Sequence, residues 1–365
     1  MNAAGQGALA ETMGALVLHA IGDLRYERVP MPTFQAGQAL VRVAAVGVCG
    51  SDLPRVYEHG TYRMPLIPGH EAAGVVVAVI EPAVEAPGDA PVPPGTPVAI
   101  KPLIPCRRCA YCQIGAYGQC VAYDYIGSRR DGAWAEFVAV PQENLVPLPP
   151  GVALDEAALA EPLAVALHAV RQGGVQPGDC VAVLGAGPIG MLVAQWARLW
   201  GAGRVLLVDL DPAKLALVEE LALGQTFNAR QGDPVAWVLG ETDGMGADLV
   251  VEAAGAPATL EQALRIARPL GRVVIMGNPA GAVTLPEATV SGILRKELTI
   301  RGTWNSQFTR LPVDEWQVAL EMLAAGRIRV APLITHRVPL AEGPAILERM
   351  RRRDTFYGRV LLVNS

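Results

Sequence analysis

The sequence predicts a two-domain α/β protein, in which an irregular β-rich lobe accompanies a doubly wound parallel sheet. Three observations lead there. The 365 residues exceed what one hydrophobic core usually organises. From about residue 162 to 304, apolar strands alternate with helices of ten or more residues. Before that stretch, short apolar runs are broken repeatedly by proline and glycine.

In chain order, the first dozen residues are small and polar with no basic segment, so residues 1–12 are expected to be a disordered tail and not a signal peptide. Residues 39–46, 73–79 and 137–140 read as strands of the irregular lobe, and 81–97, with five prolines between its ends, as a surface loop. In the second stretch, 181–184, 205–208, 249–251, 273–276 and 298–300 are β-branched or apolar runs that suit buried parallel strands. Segments 188–200, 212–222 and 257–267 read as helices, each with proline in its first turn, where a missing N–H costs nothing. Helices at 313–325 and 341–352 and a strand at 359–363 follow; lacking a core of their own, they are expected to pack back on the first lobe. The expected organisation is therefore a lobe of residues 13–161 and 306–365 around a sheet domain of residues 162–305.

Composition excludes several classes. Hydrophobic residues make up 51%, enough for packed cores, while a net charge of -5 leaves no basic footprint for nucleic acid or an anionic membrane. No apolar run reaches the 18 residues of a membrane helix, and a cytoplasmic protein is expected.

Gly185-Ala186-Gly187-Pro188-Ile189-Gly190 follows an expected strand and opens an expected helix. In such a loop Gly185 permits the tight turn, Gly187 lets backbone approach a pyrophosphate, and Gly190 lets the helix pack on the sheet. The helix N-terminus offers free N–H groups to the phosphates. The motif alone is weak, but Asp209 ends the next strand nineteen residues after Gly190, where a carboxylate reaches ribose hydroxyls. Asp211 is read as the cap of the helix at Pro212. No arginine directly follows Asp209, so NAD is expected over NADP.

Four of the six cysteines, Cys106, Cys109, Cys112 and Cys120, fall within fifteen residues, with two, two and seven residues between successive members. Four thiolates close a tetrahedral zinc site and leave no open position, so this cluster is read as structural. Cys180 is read as core. Cys49, His70, Glu71 and Glu161 offer a second, more open donor set. Their spacing is too long for a local motif, and taken alone Cys49 reads equally as a buried thiol and His70 as a core or turn histidine.

These segments, in this order, resemble the zinc-containing medium-chain dehydrogenases from about Gly14 onward: Cys49-Gly50-Ser51-Asp52, Gly69-His70-Glu71, the four-cysteine lobe, Glu161-Pro162 and the glycine loop. Glu161, where ethanol-type members carry cysteine, makes the chain similar to the polyol branch. The stretches CGSDLPR (49–55), YDYIGSRRDG (123–132) and LRKEL (294–298) resemble members that act on galactitol 1-phosphate. The resemblance implies a GroES-like catalytic domain and a Rossmann cofactor domain. It implies one catalytic zinc on Cys49, His70 and Glu161, with Glu71 as exchangeable or neighbouring ligand, and one structural zinc. Ser51 then begins the proton relay, Lys214 reaches the adenosine ribose, and Gly277 and Trp304 line the nicotinamide half. The implied reaction moves a hydride between a secondary alcohol of a sugar alcohol and NAD, with galactitol 1-phosphate going to tagatose 6-phosphate. An unphosphorylated polyol, another secondary alcohol or L-threonine is the alternative, and a homodimer or homotetramer is implied. Two departures stand out: Pro54 occupies the place of a relay histidine, and Asn305 that of a sorbitol-type arginine. Arg55, six residues from Cys49, is the expected phosphate ligand; Arg129 and Arg130 read equally as surface arginines or as further phosphate contacts.

Overall fold

A computed structural model of the protein describes residues 10–81 and 92–364. Most of the expected tail and most of the expected 81–97 loop lie outside these residues; Thr12 already begins a strand. The chain divides into two compact units. One holds the described residues up to Glu161 with Trp316–Ala324 and those from Ala331 onward; the other holds Pro162–Glu315 and Ala325–Val330.

The first unit is built on a seven-stranded, mostly antiparallel sheet. Gln38–Gly47 is its hub, pairing with Glu71–Ile80 along its length, with Phe137–Pro141 at one end and with Arg359–Val363 at the other. The closing strand is thus inserted into this sheet, as its apolar sequence required: Val360, Leu361 and Leu362 are fully buried. A hairpin of Thr12–Ala20 and Asp23–Pro30, not anticipated from the sequence, adds Leu16 and Leu18 to a core with Val41, Val76 and Trp134. Its first strand is buried at six consecutive positions, so it carries no period-2 signal.

The second unit is a six-stranded parallel sheet in the spatial order Gln225–Asn228, Arg204–Asp209, Cys180–Leu184, Ala247–Glu252, Ala267–Ile275, Thr299–Gly302. This is the doubly wound order that starts at its centre and reverses there. The helices Pro188–Leu199, Pro212–Glu220 and Pro257–Ile266 begin at the expected prolines. Asp211 caps the second of these by accepting from the Ala213 N–H. Cys180 opens the central strand, half-buried against the core.

The boundary expected at residue 306 falls later. Residues 306–315 belong to the second unit because fully buried Glu315 accepts from His168 Nδ1 (2.9 Å), Arg171 Nη1 (2.5 Å) and the Gln307 N–H (2.6 Å). A buried carboxylate needs such partners, and all of them lie in that unit. Residues 325–330 join it through Gln195, which exchanges two hydrogen bonds with the Arg329 backbone.

Candidate active site and metal centres

The four-cysteine segment folds as a tight lobe. Cys109 precedes the one-turn helix Ala110–Gln113, and Cys120 follows the turn Tyr117–Gln119. No disulfide forms, and the four sulfurs lie within 4.8 Å of one another. Cys109 and Cys120 are 3.9 Å apart, matching the roughly 3.8 Å separation of thiolates placed tetrahedrally at about 2.3 Å from zinc. The N–H groups of Val121 and Cys112 lower the Cys109 thiol to about 6, which favours the ligating thiolate; burial pushes Cys112 up to about 12. Four sulfurs gathered so closely, one of them a buried thiol, suit a cation of the kind that thiolates ligate.

The second set is assembled from the two ends of paired strands. Cys49 lies just past the end of Gln38–Gly47, and Glu71 opens Glu71–Ile80, whose first residue pairs with Gly47. Antiparallel pairing of one strand's end with the next one's start brings these side chains together. Cys49, His70 and Glu71 present ligand atoms within 4.8 Å of one another. Glu161, in the first turn of Ala160–Gly173, is not in that set but stands close enough for its charge to act on Cys49.

Two residues not singled out in the sequence complete the surroundings. Asp52 is buried; it accepts from the Cys49 N–H at 2.9 Å and faces His70 Nδ1 at 3.5 Å, long for a hydrogen bond and leaving that nitrogen without one. Its signal was its place in the Cys49-Gly50-Ser51-Asp52 turn. Arg359 is buried and gives Nη1 to both Glu71 oxygens, at 2.8 and 3.0 Å. Only its odd position, a cation heading an apolar strand, could have marked it. Arg55, the expected phosphate ligand, places its Nη1 3.2 Å from Asp52 Oδ1, because a buried carboxylate claims the nearest cation.

The electrostatics fit a cation. Burial, then Glu71 and Asp52, push the Cys49 thiol up to about 12; burial, then Glu71, push Glu161 up to about 7. Three carboxylates and a thiol therefore crowd a site where Arg359 and Arg55 are the neighbouring guanidiniums. A divalent ion at Cys49 and His70 offsets this repulsion and takes N, O and S donors of the kind zinc prefers. Ser51 is exposed, its Oγ 3.3 Å from the Cys49 sulfur. Pro54 follows in a short helical turn and offers no titratable group.

In the second unit the glycine loop has the expected form. Gly185 has φ +105°, and a Cβ there would come within 2.8 Å of the Ala254 nitrogen; at Gly190 it would come within 1.9 Å of the Gly185 oxygen. At Gly187, before Pro188 and Ile189, nothing lies within 4 Å of that position, leaving room for a ligand. Asp209 Oδ2 accepts from the Ala186 N–H (2.8 Å), tying the loop to the second strand, and Lys214 Nζ lies 3.3 Å from the same oxygen. Arg230, distant in sequence, reaches the Leu210 carbonyl at 2.9 Å, so a cation does stand near Asp209. Gly277 follows the fifth strand, where a Cβ would meet Gly255 N at 2.3 Å, and Trp304 follows the last strand, half-exposed.

Comparison with known proteins agrees with this geometry. Residues 188–325 match the family model for zinc-binding dehydrogenases and residues 35–150 that for the alcohol dehydrogenase GroES-like domain. The galactitol 1-phosphate 5-dehydrogenase of Escherichia coli is 37% identical over 325 residues, 88% of this chain and 91% of that protein. A crystal structure of galactitol-1-phosphate dehydrogenase from Escherichia coli superposes with TM-score 0.89 at 34% identity, covering 96% of this chain and all of that one. A zinc-binding dehydrogenase from Sinorhizobium meliloti bound to NADP gives 0.88 at 32% identity, covering 97% and 100%. Other polyol dehydrogenases match over about nine-tenths of the chain. No helix among the described residues is long and apolar enough to cross a membrane. A GroES-like unit with a cation-ready thiol, imidazole and carboxylate set, and a doubly wound unit with a nucleotide loop, make this chain a member of the zinc-binding alcohol and polyol dehydrogenase family.

Proposed function

We propose that the protein oxidises a secondary alcohol of a polyol phosphate, galactitol 1-phosphate to tagatose 6-phosphate, with NAD as hydride acceptor. The observation that carries the chemistry is the Cys49/His70/Glu71 cluster; the likeness to galactitol 1-phosphate 5-dehydrogenase supports the substrate. Cys49 and His70 hold the metal. Asp52 faces Nδ1, which leaves His70 Nε2 for that ion. Glu161 is the third ligand, since both Glu71 oxygens are already held by Arg359; Glu71 is then the exchangeable neighbour. Cys106, Cys109, Cys112 and Cys120 hold the structural ion. When bound, zinc supplies Lewis acidity and the nicotinamide ring supplies the hydride sink.

Ser51 accepts the alcohol proton. Because Pro54 stops a side-chain relay and Ser51 is exposed, the proton leaves to water. Asp52 and Arg55 orient the turn that carries Cys49 and Ser51. In the second unit, Gly185 to Gly190 cradle the pyrophosphate, Asp209 and Lys214 take the adenosine ribose, and Gly277 and Trp304 flank the nicotinamide. Two copies associate through the edge strand Thr299–Gly302, exposed at all four residues.

A second reading is favoured by one observation each for substrate and cofactor. Arg55 is committed to Asp52, which suits an unphosphorylated polyol; Lys214 and Arg230 beside Asp209 suit NADP. The test is a reduced-nicotinamide formation screen of the zinc-loaded protein across polyols and their phosphates with both cofactors. Fastest turnover of galactitol 1-phosphate with NAD supports the proposal; preference for free polyols or L-threonine sinks the substrate, and no turnover of any alcohol sinks the reaction.

A further inference from the structure

We propose that Arg129 is the residue that receives the substrate's phosphate, an assignment that rests on the polyol-phosphate reading and adds where the phosphate end lies. Of the three arginines in the two first-unit segments that resemble phosphate-handling relatives, 49–55 and 123–132, two are spoken for. Arg55 pairs with Asp52, and Arg130 Nε lies 3.6 Å from Asp124. Arg129 has no carboxylate partner among the described residues, and its Nε is buried without a hydrogen bond. Its guanidinium instead packs on two aromatic rings, 3.9 Å from the centroid of Tyr62 and 4.4 Å from that of Tyr123. Rings steady a cation without neutralising it. The hydroxyls of the same two tyrosines favour the charged form of the guanidinium, and a planar cation with no carboxylate partner is matched by a bidentate oxyanion, which a phosphate supplies and a hydroxyl does not.

The position of Arg129 relative to the metal ligands is fixed by backbone. Its loop is pinned to the segment that precedes His70: Ala133 N–H donates to the Gly69 carbonyl (2.9 Å) and Trp134 N–H to the Pro68 carbonyl (2.9 Å). Gly127 packs so closely on Gly69 that a Cβ would come within 2.4 Å of its oxygen. The rings then form a path, Tyr123 to Tyr125 at 6.3 Å between centroids and Tyr125 to His70 at 5.9 Å. Arg129 is thus held two rings away from a metal ligand. Galactitol 1-phosphate reacts at its fifth carbon and carries phosphate on its first, so the cation it needs stands away from the ligand set. Arg55, paired with the carboxylate that faces His70, is at the ligand set itself.

The experiment compares kcat/KM for galactitol 1-phosphate and free galactitol in zinc-loaded wild type, Arg129→Gln, Arg129→Lys and Tyr123→Leu. Loss of one charge-assisted contact lowers the phosphate-to-free ratio about 10- to 100-fold in Arg129→Gln. Arg129→Lys, which keeps charge but not the fork, and Tyr123→Leu, which removes one ring, lower it by smaller factors. A wild-type ratio near one overturns both this assignment and the substrate reading. A high wild-type ratio that survives in Arg129→Gln overturns the assignment alone. Equal loss on both substrates in Arg129→Gln and Arg129→Lys marks a brace between two tyrosines and also overturns it.

Discussion

The two clusters that suit zinc are built in opposite ways. Cys106, Cys109, Cys112 and Cys120 come from one fifteen-residue segment, use one ligand type, and need only a one-turn helix and a tight turn to bring their sulfurs together. Cys49, His70 and Glu71 come from two strand ends, with Glu161 near them on a helix and Arg359, 288 residues from Glu71, closing the site. The first spends its donors on closing a loop; the second is surrounded by carboxylates whose charge only a cation and two arginines offset. A metal site that shapes a lobe can be local, whereas one that does chemistry needs separate elements to set its ligands and leave a position open.

The largest test of that contrast is Cys49→Ser. It is expected to lower kcat by about a thousandfold or more, since Lewis acid assistance is worth several kcal/mol. Elemental analysis should find zinc falling from two ions per chain to one, with the circular dichroism spectrum retained. A wild-type protein that holds at most one zinc when saturated would refute the two-site reading.

Next comes Arg359→Leu, which leaves Glu71 charged and buried without its partner. A cost of about 3–5 kcal/mol is expected in denaturant unfolding of the first unit. Adding Glu71→Gln should recover part of it, because the orphaned charge is then gone. If the single variant unfolds like wild type, the ion pair is not a support of the site.

Asp209→Ala carries the local-versus-assembled contrast into the second unit. A carboxylate about 4 Å from an added 2′-phosphate charge repels it by roughly 1–4 kcal/mol per unit charge. NAD should therefore lead NADP by about tenfold or more in kcat/KM, and the variant should shrink that lead. Equal use of both cofactors by the wild type would show that Lys214 and Arg230 outweigh the carboxylate.

The smallest effect on turnover is expected from Cys109→Ser. One zinc should be lost and heat inactivation should quicken, while kcat of the surviving folded protein stays close to wild type. A kcat loss matching that of Cys49→Ser would erase the distinction between the two clusters.

The sequence by itself determined whatever rests on neighbours along the chain. Prolines at 188, 212 and 257 set helix starts because a fixed φ and a missing N–H suit a first turn. Gly185, Gly190 and Asp209 were legible because strand, turn and helix follow one another within a single βαβ unit. The cysteine lobe was legible by spacing, and Cys49, His70 and Glu161 only through resemblance. The tertiary structure decided the rest. The hairpin at 12–30 was hidden because burial at consecutive positions erases the alternation that marks a half-buried strand. Residues 306–315 joined the second unit because Glu315, once buried, needed His168, Arg171 and the Gln307 N–H. Arg55 turned to Asp52, Arg359 reached Glu71, and Arg129 was left between two tyrosines with no carboxylate partner among the described residues. Which charges meet is set by the cost of burying each one alone, and that cost exists only after the chain has folded around them.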